Sequence, residues 1–198
     1  MYEENREPLP PGDAARLFSE EFAAIGELCG ERLEQVGPST VIRWAMREAQ
    51  PHFAKVCRRL LLPGSCISNF DSLAALARLA GKGCACLVCL NHRSNLDVPT
   101  LYALMEDRSE LDVFHQIIWV ACRKLREDRG LTPAMVQCFN QVTVTPNSWL
   151  RDEHTAEERQ QAYQINVAAL RTIHDLRHQG WIFALFPTGT RLRPHDES

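Results

Sequence analysis

The sequence predicts an α/β fold: a mostly parallel mixed sheet flanked by helices, preceded by an N-terminal helical module. Two observations carry this. After residue 83, apolar runs of strand length alternate with stretches whose apolar residues recur at helical spacing, the pattern of parallel strands joined by helical crossovers. Before residue 63, two segments show helical spacing instead. A chain of 198 residues is long enough for one good core, or for one core with a small helical appendage. The expected division is a helical module over 1–63 and an α/β domain over 64–198, with the boundary in the stretch Pro63 to Gly83.

The elements follow in order. Ala14, Leu17, Phe18, Phe22, Ile25 and Leu28 recur at helical spacing behind Gly12-Asp13, a capping pair. Gly37-Pro38-Ser39 breaks that helix. A second helical segment is expected from about Thr40 to Leu62, interrupted or kinked at Pro51 and ended by Pro63-Gly64. A third, around Asp71 to Leu79, ends at Gly81-Lys82-Gly83. Then come a strand over Cys84–Leu90, a helix over Val98–Met105 and a strand over Gln116–Ala121. A short helix near Thr132–Cys138 and a strand over Gln141–Thr145 precede a long helix, Ala156–His178. Ile165, Ala169, Leu170, Ile173 and Leu176 form the apolar face of that helix; Gly180 ends it, and the strand Trp181–Phe186 follows.

Composition narrows the function. A formal net charge of -3 does not supply the basic field of a nucleic-acid binder, so an anionic ligand needs a focused site. Arg43, Arg47, Arg58 and Arg59 make one outward face, a solvated face or a peripheral membrane contact. No stretch approaches the ~18 apolar residues that cross a bilayer. Eight cysteines raise the question of disulfides, but Met1 to Pro11 is polar and proline-rich, without a secretory apolar segment, so reduced thiols are expected. Cys84, Cys86 and Cys89 lie in an apolar run with no second thiol pair at finger spacing, and read as small hydrophobes of a buried strand. His174 and His178, one helical turn apart, read as partners of a helix C-terminus rather than metal ligands. No metal site is expected.

The chemistry concentrates in two blocks. In His92-Arg93-Ser94-Asn95-Leu96-Asp97, an imidazole and a carboxylate stand five residues apart between a strand and a helix start. A histidine at such a turn, oriented by a carboxylate one turn away, can act as a general base at neutral pH. The plainer reading is a turn histidine beside a helix-capping aspartate. The second block, Phe186-Pro187-Thr188-Gly189-Thr190-Arg191-Leu192-Arg193-Pro194, follows the last strand. Gly189 permits a tight turn, and Arg191 and Arg193 offer guanidinium forks that bind phosphate oxygens in pairs. In open α/β sheets, ligands bind at that strand edge.

Together the blocks resemble the glycerolipid acyltransferase superfamily. Asn91-His92-Arg93-Ser94-Asn95-Leu96-Asp97 matches its histidine-four residues-aspartate signature, and Phe186-Pro187-Thr188-Gly189-Thr190-Arg191 matches its FPEGTR block. The layout from about residue 10 to 198 is most similar to the soluble, plastid-type glycerol-3-phosphate 1-acyltransferases, where a small hydroxyl residue stands at the position of Thr188. A middle basic block is represented by Arg123 and Lys124, or by Arg151. The family's region after the second block is absent, so the chain is expected to be a fragment or truncated product, with part of the α/β domain missing.

The resemblance implies acyl transfer from an acyl-CoA or acyl-ACP thioester to the hydroxyl of glycerol 3-phosphate, a step of phospholipid biosynthesis. His92 would take the hydroxyl proton, and Asp97 would hold the imidazole tautomer. Arg191 and Arg193 would bind the acceptor phosphate, with Thr188, Gly189, Arg123, Lys124 and Arg151 beside the substrate. Backbone amides around Gly189 would stabilise the oxyanion. No cofactor is implied beyond the thioester co-substrate. The implied location is the cytoplasm or a plastid stroma-like soluble compartment, with peripheral contact at a membrane. Alternative readings are a lysophosphatidate acyltransferase, a thioesterase or hydrolase using Ser94 or water, and an inactive truncated relative that binds lipid.

Overall fold

The computed structural model describes residues 13–30, 35–128, 131–150 and 154–189. The described residues open with α1 (Asp13–Leu17) and α2 (Ser19–Cys29), then β1 (Ile42–Arg43), one 3-10 turn (Arg47–Ala49) and α3 (Gln50–Leu60). After α4 (Phe70–Gly81), strands and helices alternate: β2 (Cys86–Cys89), α5 (Asp97–Glu106), α6 (Leu111–His115), β3 (Ile117–Cys122), α7 (Lys124–Glu127) and α8 (Leu131–Gln137). β4 (Gln141–Val144), α9 (Asn147–Leu150), α10 (Ala156–Leu176) and β5 (Ile182–Leu185) complete it. The strands form a single sheet in the order β1-β4-β3-β5-β2. Every neighbour pair is parallel except β1–β4, so the fold is α/β with a mostly parallel mixed sheet, as the sequence predicts.

The expected helix from Thr40 to Leu62 is corrected. Its first part is extended, and Ile42 and Arg43 pair antiparallel with Val142 and Gln141. The helix begins only at Gln50, with Pro51 in its first turn. Proline lacks an N–H, and the first turn of a helix has no partner for one, so Pro51 starts this helix rather than interrupting it.

Helices cover both faces of the sheet, which is why its strands read as near-continuous apolar runs. Ile118, Val142 and Phe183 face α10, whose Ile165 and Ala169 are fully buried against them. Ile117, Trp119, Ile182 and Ala184 point to the other face and join Ile25, Phe53, Ala54, Tyr102, Met105 and Phe139 in one cluster. That cluster takes residues from both sides of position 63. Polar side chains fix the layer to the sheet. Asn140 Oδ1 accepts from the Ala45 amide at 3.0 Å, and its Nδ2 donates to the His115 carbonyl at 3.0 Å. Gln50, buried at the start of α3, donates to the Cys138 carbonyl at 2.6 Å and pairs its Oε1 with His115 Nε2 at 3.0 Å. α10 starts with a reciprocal capping box between Thr155 and Glu158.

All eight cysteines are free thiols. Cys86 is buried, but Cys84 and Cys89 are exposed, which corrects the buried-strand reading for those two. Cys84 precedes β2, and Cys89 lies on it at the edge of the sheet, with a neighbouring strand on one side alone. His178 lies just beyond α10 and pairs with the Gly83 carbonyl at 2.7 Å, while His174 sits 3.3 Å from Asp175. Arg58 forms ion pairs with Glu106 and Asp107, so much of its charge is answered within the protein. Among the described residues, no helix is long and apolar enough to cross a membrane, and no three His, Cys, Asp or Glu side chains group as a metal site would require.

Candidate active site

Parallel strands end at the same sheet edge, and here β2, β5 and β3 are neighbours, so the loops that leave them meet. Cys89 is in register with Leu185, and the Leu90 amide extends that ladder to the Leu185 carbonyl at 3.0 Å. This register carries the chain from β2 to His92 alongside the chain from β5 to Phe186. The two sequence blocks, nearly a hundred residues apart, become the two walls of one site.

Asp97 organises the first wall. As the first residue of α5, it turns its carboxylate back over the loop instead of out to solvent. Asp97 Oδ2 lies 2.9 Å from His92 Nδ1 and accepts the Arg93 amide at 2.9 Å. The Ser94 amide donates to both carboxylate oxygens, at 3.0 and 3.1 Å. An ionised carboxylate only accepts, so the proton in the His92–Asp97 contact belongs to Nδ1. In the neutral ring Nε2 is then the bare nitrogen, and His92 lines a cavity. Ser94 Oγ accepts the Leu96 amide at 3.0 Å, and so serves the turn. The aspartate is thus both the helix-start residue of the plainer reading and the partner that orients the histidine.

Phe186 forms the second wall. Its ring stacks on the His92 imidazole, with centroids 4.2 Å apart and planes inclined by 21°. Gly189 adopts φ +64 and its amide closes a turn on the Phe186 carbonyl at 2.9 Å. The left-handed conformation requires glycine at this position. That amide is spent on the turn. Gly189 itself lines the cavity, and Thr188 is exposed beside it.

The cavity has a volume of about 280 Å³ and runs from His92 and Asp97 over the ends of β3 and β4. Beyond the dyad its walls are mostly apolar, with Trp119, Leu125, Met135, Val136, Phe139 and Val144, while Ser94, Asn95 and Gln141 add polar groups. None of the six apolar residues stands out in the sequence as a site residue, because each carries only the apolar signal of a core position.

Arg123 and Lys124 follow β3 directly, at the same edge. Arg123 donates from Nε to Glu127 at 2.9 Å and lies 5.3 Å over the Trp149 ring. Its Nη1 is buried with no hydrogen-bond partner among the described residues. Lys124 is exposed. Cys122 and Leu125, which flank this pair, line the cavity, whereas the two basic residues stand outside its lining. Arg151, Arg191 and Arg193 lie outside the described residues.

Fold and site define a class: an α/β protein with a histidine–aspartate dyad at the carboxyl edge of its parallel strands, opening on an apolar cavity. Within it, the chain belongs to the acyltransferase family, described as Acyltransferase, whose profile matches residues 76–196. The match spans both sequence blocks and makes this protein an acyl-transferring enzyme. No curated protein matches the chain.

Proposed function

We propose that the enzyme transfers a fatty acyl group from an acyl-CoA or acyl-ACP thioester to a hydroxyl of glycerol 3-phosphate. The observation that carries this reading is the bond between His92 Nδ1 and Asp97, which leaves Nε2 as the base beside an apolar cavity. An alcohol is a weak nucleophile at neutral pH. His92 Nε2 takes its proton as the oxygen attacks the thioester carbonyl, and Asp97 stabilises the imidazolium that forms. When the tetrahedral intermediate collapses, the carbon–sulfur bond breaks and the imidazolium returns the proton to the departing thiolate. The products are an ester and a free thiol, with no acyl-enzyme. The turn role of the Ser94 hydroxyl supports direct transfer over a serine nucleophile.

The acyl chain of the donor suits the apolar end of the cavity. In this reading, Arg191 and Arg193 hold the acceptor phosphate, with Thr188, Arg123, Lys124 and Arg151 as further contacts. Holding the acceptor hydroxyl against His92 removes much of the entropic cost of bringing two substrates together. The product is amphipathic, so the reading includes a soluble compartment and peripheral contact with a membrane.

The test is transfer of labelled palmitoyl from its coenzyme A thioester to glycerol 3-phosphate, comparing the native enzyme with His92→Ala. The expected result is labelled lysophosphatidate, reduced by about a hundredfold or more in the variant. Thioester hydrolysis that glycerol 3-phosphate does not divert into ester would overturn the acceptor assignment. A folded His92→Ala enzyme with most of its activity would overturn the mechanism.

A further inference from the structure

We infer that Phe186 is a positioning residue for His92: its ring fixes the plane of the catalytic imidazole, with Trp119 as the backing plate. The inference rests on the proposed role of His92 as base.

One hydrogen bond does not fix an imidazole. The Nδ1 contact to Asp97 restrains a single atom, and rotation of the ring about its last side-chain torsion is soft. A flat surface against one face removes that freedom, and Phe186 supplies it at 4.2 Å with near-parallel planes. Phe186 is itself held. Trp119 continues the stack on β3, with centroids 6.0 Å apart and planes inclined by 19°. Trp119 is buried at 5% exposure and packs against Phe114 at 6.4 Å. The Gly189-to-Phe186 turn and Pro187 restrict the backbone on the other side of the residue. Two rings from loops and one from within β3 therefore stand in one file, and among them His92 carries the bond to a carboxylate.

Two chemical consequences follow. With Nδ1 tied and one face covered, a substrate hydroxyl meets Nε2 from the open side of the ring. When the imidazole accepts the proton, the π face of Phe186 lies against the new positive charge and favours it. Both effects act in the transition state rather than on ground-state binding, so they belong in kcat.

The experiment compares Phe186→Leu, which keeps apolar volume without a flat ring, with Phe186→Tyr, which keeps the ring. In the acyl-transfer assay, Phe186→Leu is expected to lower kcat about tenfold while both KM values stay within about twofold. Phe186→Tyr is expected to recover most of that loss. The His92 ring-proton resonances, assigned by their disappearance in His92→Ala, provide a readout independent of turnover. They should move downfield in Phe186→Leu, as ring-current shielding is lost, and return in Phe186→Tyr. Native kcat in Phe186→Leu, unmoved His92 resonances, or a tyrosine variant as impaired as the leucine one would each overturn the inference. Loss of activity in His92→Ala alongside native kcat in Phe186→Leu removes the positioning role and leaves the proposed mechanism standing. A fully active His92→Ala brings down both.

Discussion

The loop that carries His92 and the helical layer that carries Phe53 are held by opposite means. In the layer, Ile25, Ala49, Phe53 and Ala54 are completely buried, and apolar area removed from water does the holding. In the loop, the His92 and Asp97 side chains keep 20% and 24% of their surface. There a single carboxylate gathers one imidazole and two backbone amides. Burial tolerates small shifts in angle, whereas hydrogen bonds do not. The layer therefore governs whether the protein folds, and the loop governs where one ring nitrogen points. Substitutions in the two regions should fail in different ways.

The sharpest separation comes from Asp97→Asn. With its NH2 group in the place of Oδ2, the amide can donate to His92 Nδ1 and so favours the wrong tautomer, while its oxygen at Oδ1 keeps the Ser94 N–H and the Arg93 N–H loses its acceptor. The expected outcome is a fall in kcat of about a thousandfold with little change in thermal midpoint. A large drop in stability at near-native kcat would break the comparison. Phe53→Ala should do the reverse. Removing a fully buried phenyl ring costs about 3–5 kcal/mol of unfolding free energy, while kcat per folded molecule stays close to native. Chemical denaturation paired with an active-site titration checks both halves.

The smallest effect lies at the edge of the layer. Glu21, on α2, is covered and bonded to Lys55 of α3, and that ammonium holds its carboxyl below the ordinary carboxylate range. A carboxyl whose folded pKa is depressed contributes stability above its unfolded pKa, and that contribution is lost as pH falls through the folded value. The thermal midpoint should fall between about pH 5 and pH 3 more steeply in the native protein than in Glu21→Gln. Equal acid slopes would assign the acid sensitivity to other carboxylates.

Much of this fold was legible because its strands and long helices are periodic over enough residues to announce themselves. β2 through β5 and α10 lie where apolar runs and spacing put them, with ends shifted by a few residues. β1 was not legible, since Ile42 and Arg43 are too few to show a period, and only the facing edge of β4 makes them a strand. Pro51 reads as an interruption only if the helix begins at Thr40; with Ile42 and Arg43 drawn into the sheet, it falls in the first turn of α3. Cys84 falls short of β2, and the exposure of Cys89 goes with β2 being an edge, which is a property of strand order and not of local sequence. At the site, His92 and Asp97 were legible because their spacing has chemical meaning. The Phe186 stack was not, although the residue sits inside the second block: the register of β2 against β5 brings its ring to His92.

The measurement that bears most directly on the account is the tautomer of His92, read from long-range nitrogen–proton correlations of the ring in labelled protein above the imidazole's own titration. Asp97 bonded at Nδ1 predicts that Nδ1 carries the proton and Nε2 is bare, and that Asp97→Asn reverses the pattern. A native His92 protonated at Nε2 would have no free base facing the cavity, and would contradict the mechanism at its first step.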